Sequence, residues 1–222
     1  MVKAKAYNKN LINVIKLVTI VTKMMSLIKP GYFKILQLFY TNKNARLHLR
    51  EIARNAKLHV PSTTTFLNDL VKDNILKSER EGNQKKYSLR LNYKVYAVFE
   101  LFDLERFNAL PSIRKNAIKY FVNGLKEKPL IVFVFGSTAK EVFNKNSDID
   151  LLIINNAKIN TNEAEKHSEA LTGIKMSIFQ VNLNDFLKEI KLKEDPVIQS
   201  AIASGYPVLN NIYYYEMLYS GY

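Results

Sequence analysis

An unbroken apolar run from Pro129 to Phe135 (PLIVFVF) halts at Gly136-Ser137, and TAKEVF, which reads as helical, follows. Buried strand, glycine turn and helix start, in that order, form a place for phosphate. Glycine permits a left-handed or close-approach backbone, and the Ser137 hydroxyl with neighbouring amides can hold phosphate oxygens at the helix N-terminus. A second apolar strand, SDIDLLII from Ser147 to Ile154, begins with two carboxylates. Residues two apart on a strand project to one side, so Asp148 and Asp150 stand about 7 Å apart at their Cα atoms. That pairing suits Mg2+ or Mn2+ bridged to a triphosphate. Asp150 lies inside an apolar strand, where a carboxylate is rarely buried without a cation or metal. A turn Asp followed by one salt-bridged Asp is the plainer alternative.

Composition sets the rest of the frame. The 222 residues are 47% hydrophobic with 7 Gly and 6 Pro, which suits two globular modules. There is no cysteine, which removes disulfides, thiolate nucleophiles and cysteine-held metals and fits a cytoplasmic location. His48, His59 and His167 lie far apart and show no ligand spacing. Lys16 and Lys23 interrupt the apolar N-terminal stretch, so residues 1–30 read as a basic amphipathic helix rather than a membrane span. Stable membrane insertion is not expected.

Residues 31–93 carry twelve basic and five acidic side chains, a net +7, whereas residues 129–222 carry eight and eleven, a net −3. Unless the excess merely reflects a lysine-rich background, the front half suits a polyanion and the back half metal-binding carboxylates. In the front half, helices are expected over Tyr32–Tyr40, Leu49–Ala56 and Pro61–Asp73. Arg50 points outward on the second. The third turns Thr63, Phe66, Leu67, Leu70 and Val71 inward and leaves Ser62, Thr64, Thr65, Asn68 and Lys72 outside. Small hydroxyl and amide side chains are what a helix needs to reach base edges and phosphates in a major groove. ILKSER, a turn at Glu81-Gly82-Asn83 and QKKYSLRLN form a hairpin with Arg80, Lys85 and Lys86 near its tip.

LREIARNAKLHVPSTTTFLNDLVKDNILKSEREGNQKKYSLRLN resembles the winged-helix transcription regulators. The resemblance implies a recognition helix at Ser62–Asp73 in the major groove of double-stranded DNA and a wing that reaches phosphate or the minor groove. A winged helix can also serve protein contacts. Residues 94–128 read as two apolar helices broken at Leu110-Pro111, without chemistry of their own, that connect the modules or dimerise; a homodimer through these or the N-terminal helix is expected.

Ten residues, Thr138 to Ser147, separate Ser137 from Asp148. With the strands around them, they resemble the DNA polymerase beta-type nucleotidyltransferase superfamily, above all its minimal members. The resemblance implies that Gly136 and Ser137 bind the triphosphate, that Asp148 and Asp150 bind the metal as catalytic carboxylates, and that a third acid on a later strand activates a hydroxyl. Lys140 stands where the minimal members commonly carry arginine. The expected later strand, Lys175–Val181 (KMSIFQV), holds no acid, and Ser177 or Gln180 occupies the place. The whole chain is therefore expected to be α+β: an N-terminal winged helix-turn-helix domain over 31–93, a helical connector over 94–128 and a C-terminal nucleotidyltransferase-type α/β domain over 129–222. Two functions remain open: nucleotidyl transfer to a hydroxyl, or a transcription regulator whose transferase-like domain senses nucleotide without turnover.

Overall fold

The computed structural model describes residues 29–219, which fall into two compact units divided between Phe102 and Asp103. The amphipathic helix expected over the first thirty residues lies outside the described part, Lys29 and Pro30 excepted. No helix among the described residues is long and apolar enough to cross a membrane.

In the first unit, Pro30 in the first turn opens α1 (Pro30–Thr41), its fixed φ already suited to a helix. A two-residue strand, β1 (Leu47–His48), leads into α2 (Leu49–Ala56), which ends where Lys57 turns left-handed at φ 54°. Next comes α3 (Val60–Lys72), again with proline in its first turn, and then the hairpin β2 (Leu76–Glu81) and β3 (Gln84–Leu89). Glu81 faces Gln84 across a two-residue turn whose Gly82 sits at φ +59°, the geometry that tight hairpins require. The strand order is β1-β3-β2, all antiparallel. Ile35, Phe39, Ile52, Leu67, Leu70, Leu76 and Tyr87 fill the core. On α3 the inward positions are Thr63, Leu67 and Leu70, with Phe66 and Val71 half-buried at the edge. Phe66 covers Gly31 so closely that a Cβ there would lie 2.1 Å from its ring, and Tyr32 donates to the Asp69 carboxylate.

The unit boundary falls within α4 (Tyr93–Ala109). The second unit continues with α5 (Ser112–Gly124), β4 (Ile131–Phe135), a single turn α6 (Gly136–Ala139) and β5 (Ile149–Asn155). It is completed by α7 (Asn162–Thr172), β6 (Met176–Asn182), α8 (Leu183–Leu192), α9 (Pro196–Ser204), β7 (Tyr206–Leu209) and α10 (Asn211–Tyr219). The sheet runs β6-β5-β4-β7, with β5 parallel to β6 and antiparallel to β4. Strand alternation gives it two buried faces. Val132, Val134, Leu151 and Ile153 pack with Ala117, Ile118, Phe121 and Ala164 from α5 and α7. On the opposite face, Phe133 meets Tyr214 of α10 edge-on at 4.4 Å, and Tyr214 in turn lies beside Phe186 of α8. Asp103, 1% exposed, accepts from Tyr215 Oη and Asn211 Nδ2 at 2.9 Å and so ties α10 into the unit. Buried polar groups persist where such partners satisfy them.

One sequence expectation changes here. The second helix of the 94–128 stretch, α5, is no separate connecting layer: it supplies a wall of this unit's core, because Ala117, Ile118 and Phe121 form one apolar face against the sheet.

Candidate functional site

The site forms where β4 ends and β5 begins. Phe135 pairs with Asp150 across the two strands, and Gly136 follows at φ +63°. A Cβ on Gly136 would lie 2.0 Å from Asp150 Oδ2, so the carboxylate occupies the space that a side chain would take. The Ser137 backbone N–H donates to that carboxylate. Burial, followed by the charge of Asp148, pushes the Asp150 carboxyl above the usual carboxylate range; the Ser137 amide and Arg114 pull it back. Asp148 is exposed, Asp150 is half-buried, and the two lie close enough for the Asp148 charge to act on Asp150.

The helix expected over TAKEVF is one turn only. It stops at Ala139, exposed Lys140 keeps right-handed geometry at its C-terminus, and Glu141 turns left-handed at φ 59°. Residues 140–147 are instead a loop. Besides its own Asn144–Ser147 hydrogen bonds, the loop is met by a residue that local sequence does not flag. Arg114, on α5 and 3% exposed, donates from Nη1 to Thr138 Oγ1 at 2.8 Å and Asp148 O at 3.5 Å. Its Nη2 donates to Asn144 O at 3.0 Å and Ser147 O at 2.7 Å, and the Phe143 ring lies 4.1 Å from the guanidinium carbon. Nearby, Arg106 donates to Ala139 O at 2.9 Å and Ser204 O at 2.8 Å over the Tyr206 ring. The stretch expected to hold no chemistry thus supplies two arginines to this neighbourhood.

The parallel register β5–β6 sets Ser177 beside Asp150, and Ser177 is exposed. Gln180 faces the other side of the sheet, where its side-chain amide both accepts from Ile159 N and donates to Ile159 O at 3.0 Å. Of the two residues weighed for the third-acid position, Ser177 is therefore the one on the Asp150 face. Asp185 belongs to the first turn of α8, beyond the far end of β6, and pairs with Lys188. No group of three or more metal-ligating side chains occurs among the described residues. Two neighbouring carboxylates nevertheless fit Mg2+, which typically takes one or two carboxylates and completes its shell with water and phosphate.

In the first unit Ser62, Thr65, Asn68 and Lys72 form an exposed stripe on α3, with Thr64 half-exposed at its border and Arg50 exposed on α2. The hydroxyls of Thr64 and Thr65 donate back to Val60 O and Pro61 O, which leaves their oxygens to accept. Arg80 and Lys85 face each other across the hairpin, both exposed. Lys86 lies on the opposite hairpin face, 2.8 Å from Glu81, beside pairs of Arg46 and Lys77 with Glu79.

The strand, the tight Gly-Ser turn and the strand that carries Asp150 fall within the part of the chain that is similar to a nucleotidyltransferase domain. Residues 115–211 match the family model described as polymerase beta, nucleotidyltransferase, which lies wholly within the second unit. No curated protein matches the chain. Among solved structures, human N-acetylserotonin methyltransferase in complex with SAM aligns over 49% of this chain and 34% of its own, at 11% identity and a TM-score of 0.24. At that score the likeness says nothing of fold or function.

Proposed function

We propose that this is a DNA-binding protein whose second unit binds a nucleoside triphosphate together with Mg2+ or Mn2+ between the Gly136-Ser137 turn and the Asp148/Asp150 pair. The cradle at Gly136 carries the reading: a left-handed glycine leaves room for the Asp150 carboxylate, and the Ser137 amide orients it. A divalent ion held by the two aspartates would neutralise charge between them and the phosphates. Gly136 allows close backbone approach, and Lys140, exposed at the rim, adds a positive charge for the triphosphate.

The first unit is read as a winged helix. Its support is three helices followed by a hairpin in the order β1-β3-β2, a net charge of +7 over 31–93, and the exposed polar stripe of α3. Arg80 and Lys85 are the wing residues open to phosphate; Lys86 is engaged by Glu81.

Ser177 beside Asp150 favours a regulator over a transferase. A serine hydroxyl cannot take a proton from an attacking hydroxyl as a carboxylate does, and general-base assistance is worth about 100- to 10,000-fold in rate. The test combines calorimetry with labelled-nucleotide transfer. Wild type should bind NTP only with Mg2+, Asp148→Asn with Asp150→Asn should lose that binding while staying folded, and bound nucleotide should change DNA affinity. Equal affinity with and without Mg2+ would refute the site; robust transfer to any acceptor that disappears in Asp150→Asn would refute the regulator.

A further inference from the structure

The two aspartates are held in place by different means. Asp150 is inside β5, fixed by its pairing with Phe135 on one side and Ser177 on the other. Asp148 precedes the strand, which starts at Ile149; the sheet ties it only through the following peptide, whose Ile149 N–H donates to Lys175 O at 3.0 Å. Its position is the end point of the loop from Lys140 to Ser147, and that loop is drawn onto Arg114 from both ends. Thr138 lies before the loop, Asn144 and Ser147 within it, and Asp148 after it; all four accept from one guanidinium.

We propose that Arg114 is the positioning residue of the site, the group that sets Asp148 and the Gly136-Ser137 turn at fixed distance from Asp150. The proposal rests on the metal-nucleotide reading above. Burying an arginine is costly and is seldom a route to stability alone, whereas five N–H donors in a rigid fork suit the collection of several carbonyls at once. Lysine offers a point charge without the fork. The guanidinium is also confined over the Phe143 ring, which belongs to the same loop, so loop and arginine restrict each other. Opposite charge adds to this: Asp148 and Asp150 both favour the charged form of Arg114 against its burial.

The test uses the full chain with Arg114→Lys and Thr138→Val, and exposed Asn116→Ala on the same helix as control. Two quantities are read: Mn2+ affinity by electron paramagnetic resonance without nucleotide, and amide hydrogen exchange over 140–148 compared with β4 and β5. In Arg114→Lys, with circular dichroism and melting temperature near wild type, Mn2+ affinity should fall about tenfold or more, as for residues that orient metal ligands. Loop amides should exchange faster while strand amides stay protected. Thr138→Val, which removes one acceptor, should show the same pattern to a smaller degree, so the proposal stays testable if Arg114→Lys fails to fold. Folded variants with loop exchange and Mn2+ affinity indistinguishable from the control overturn it. Wild type without Mn2+ binding would instead remove the metal reading, and the exchange comparison would still decide whether Arg114 holds the loop.

Discussion

Replacing Gly136 by alanine separates two costs that the structure places at one residue. The first is backbone strain: a non-glycine residue at φ +63° loses about 1–2 kcal/mol, reduced by the ~0.4–1 kcal/mol that alanine returns by stiffening the unfolded chain. The second is steric. The new methyl would lie 2.0 Å from Asp150 Oδ2, so the carboxylate must swing away and give up the Ser137 amide, a charged hydrogen bond worth about 1.5–3 kcal/mol. Gly173→Ala isolates the first cost, because Gly173 has φ +69° and nothing within 4 Å of its would-be Cβ. Gly173→Ala should thus cost about 1 kcal/mol and Gly136→Ala about 2–4 kcal/mol. The chain has no tryptophan, so urea unfolding is followed by far-UV circular dichroism, with Mn2+ affinity measured in parallel. Equal losses in the two variants, or Gly136→Ala with wild-type Mn2+ affinity, would refute the cradle.

The remaining predictions concern charge. The Asp150 carboxyl is raised in the folded state, so ionising it costs stability as pH climbs from the ordinary carboxylate range through its folded pKa; below that range both states are protonated and the penalty vanishes. Asp150→Asn should therefore melt higher than wild type at neutral pH and converge with it near pH ~3, below the unfolded value of about 3.9; a lower melting temperature at neutral pH contradicts this. On the wing, Lys85→Ala and Arg80→Ala should each flatten the salt dependence of duplex binding by about 0.9 in log–log slope, and Lys86→Ala by less, because Glu81 holds it; equal slopes in fluorescence anisotropy refute the distinction. Asp103→Ala removes the acceptor that Tyr215 Oη and Asn211 Nδ2 share, leaves Asn211 its bond to Pro207 O, and should destabilise the second unit by about 1–3 kcal/mol, measured by urea unfolding.

What could be read from the sequence follows the range of the interactions. β4, β5 and the β2–β3 hairpin announce themselves in apolar runs and a Gly82-Asn83 turn, since each signal lies within a few residues. So does the Asp148/Asp150 spacing. The strand β1 is only two residues long and exists because it pairs with Tyr87 and Lys86, so no periodicity could disclose it. TAKEVF has helical composition, yet the helix ends at Ala139, where a left-handed Glu141 and the pull of Arg114 on Asn144 and Ser147 prevail over propensity. Ser177 and Gln180 could be told apart only by register: a parallel pairing shifted by one residue would have exchanged their faces. Arg114 was invisible for a further reason. Its partners are 24 to 34 residues away, and nothing in SIRKNAIKYFV distinguishes its one buried arginine from its exposed neighbours.

The place of Arg114 in the chain also determines where the second unit can be cut. The family match begins at residue 115, so a fragment started there would include the turn, both aspartates and every strand of the sheet, yet leave behind the guanidinium that gathers Thr138, Asn144 and Ser147, and with it Phe107 and Leu110 of the core. Such a fragment keeps the motif and loses its fastening. A recombination event or an engineered fusion that respects only the Gly136–Asp150 signature would carry the carboxylates without the arginine proposed to hold them at a fixed distance.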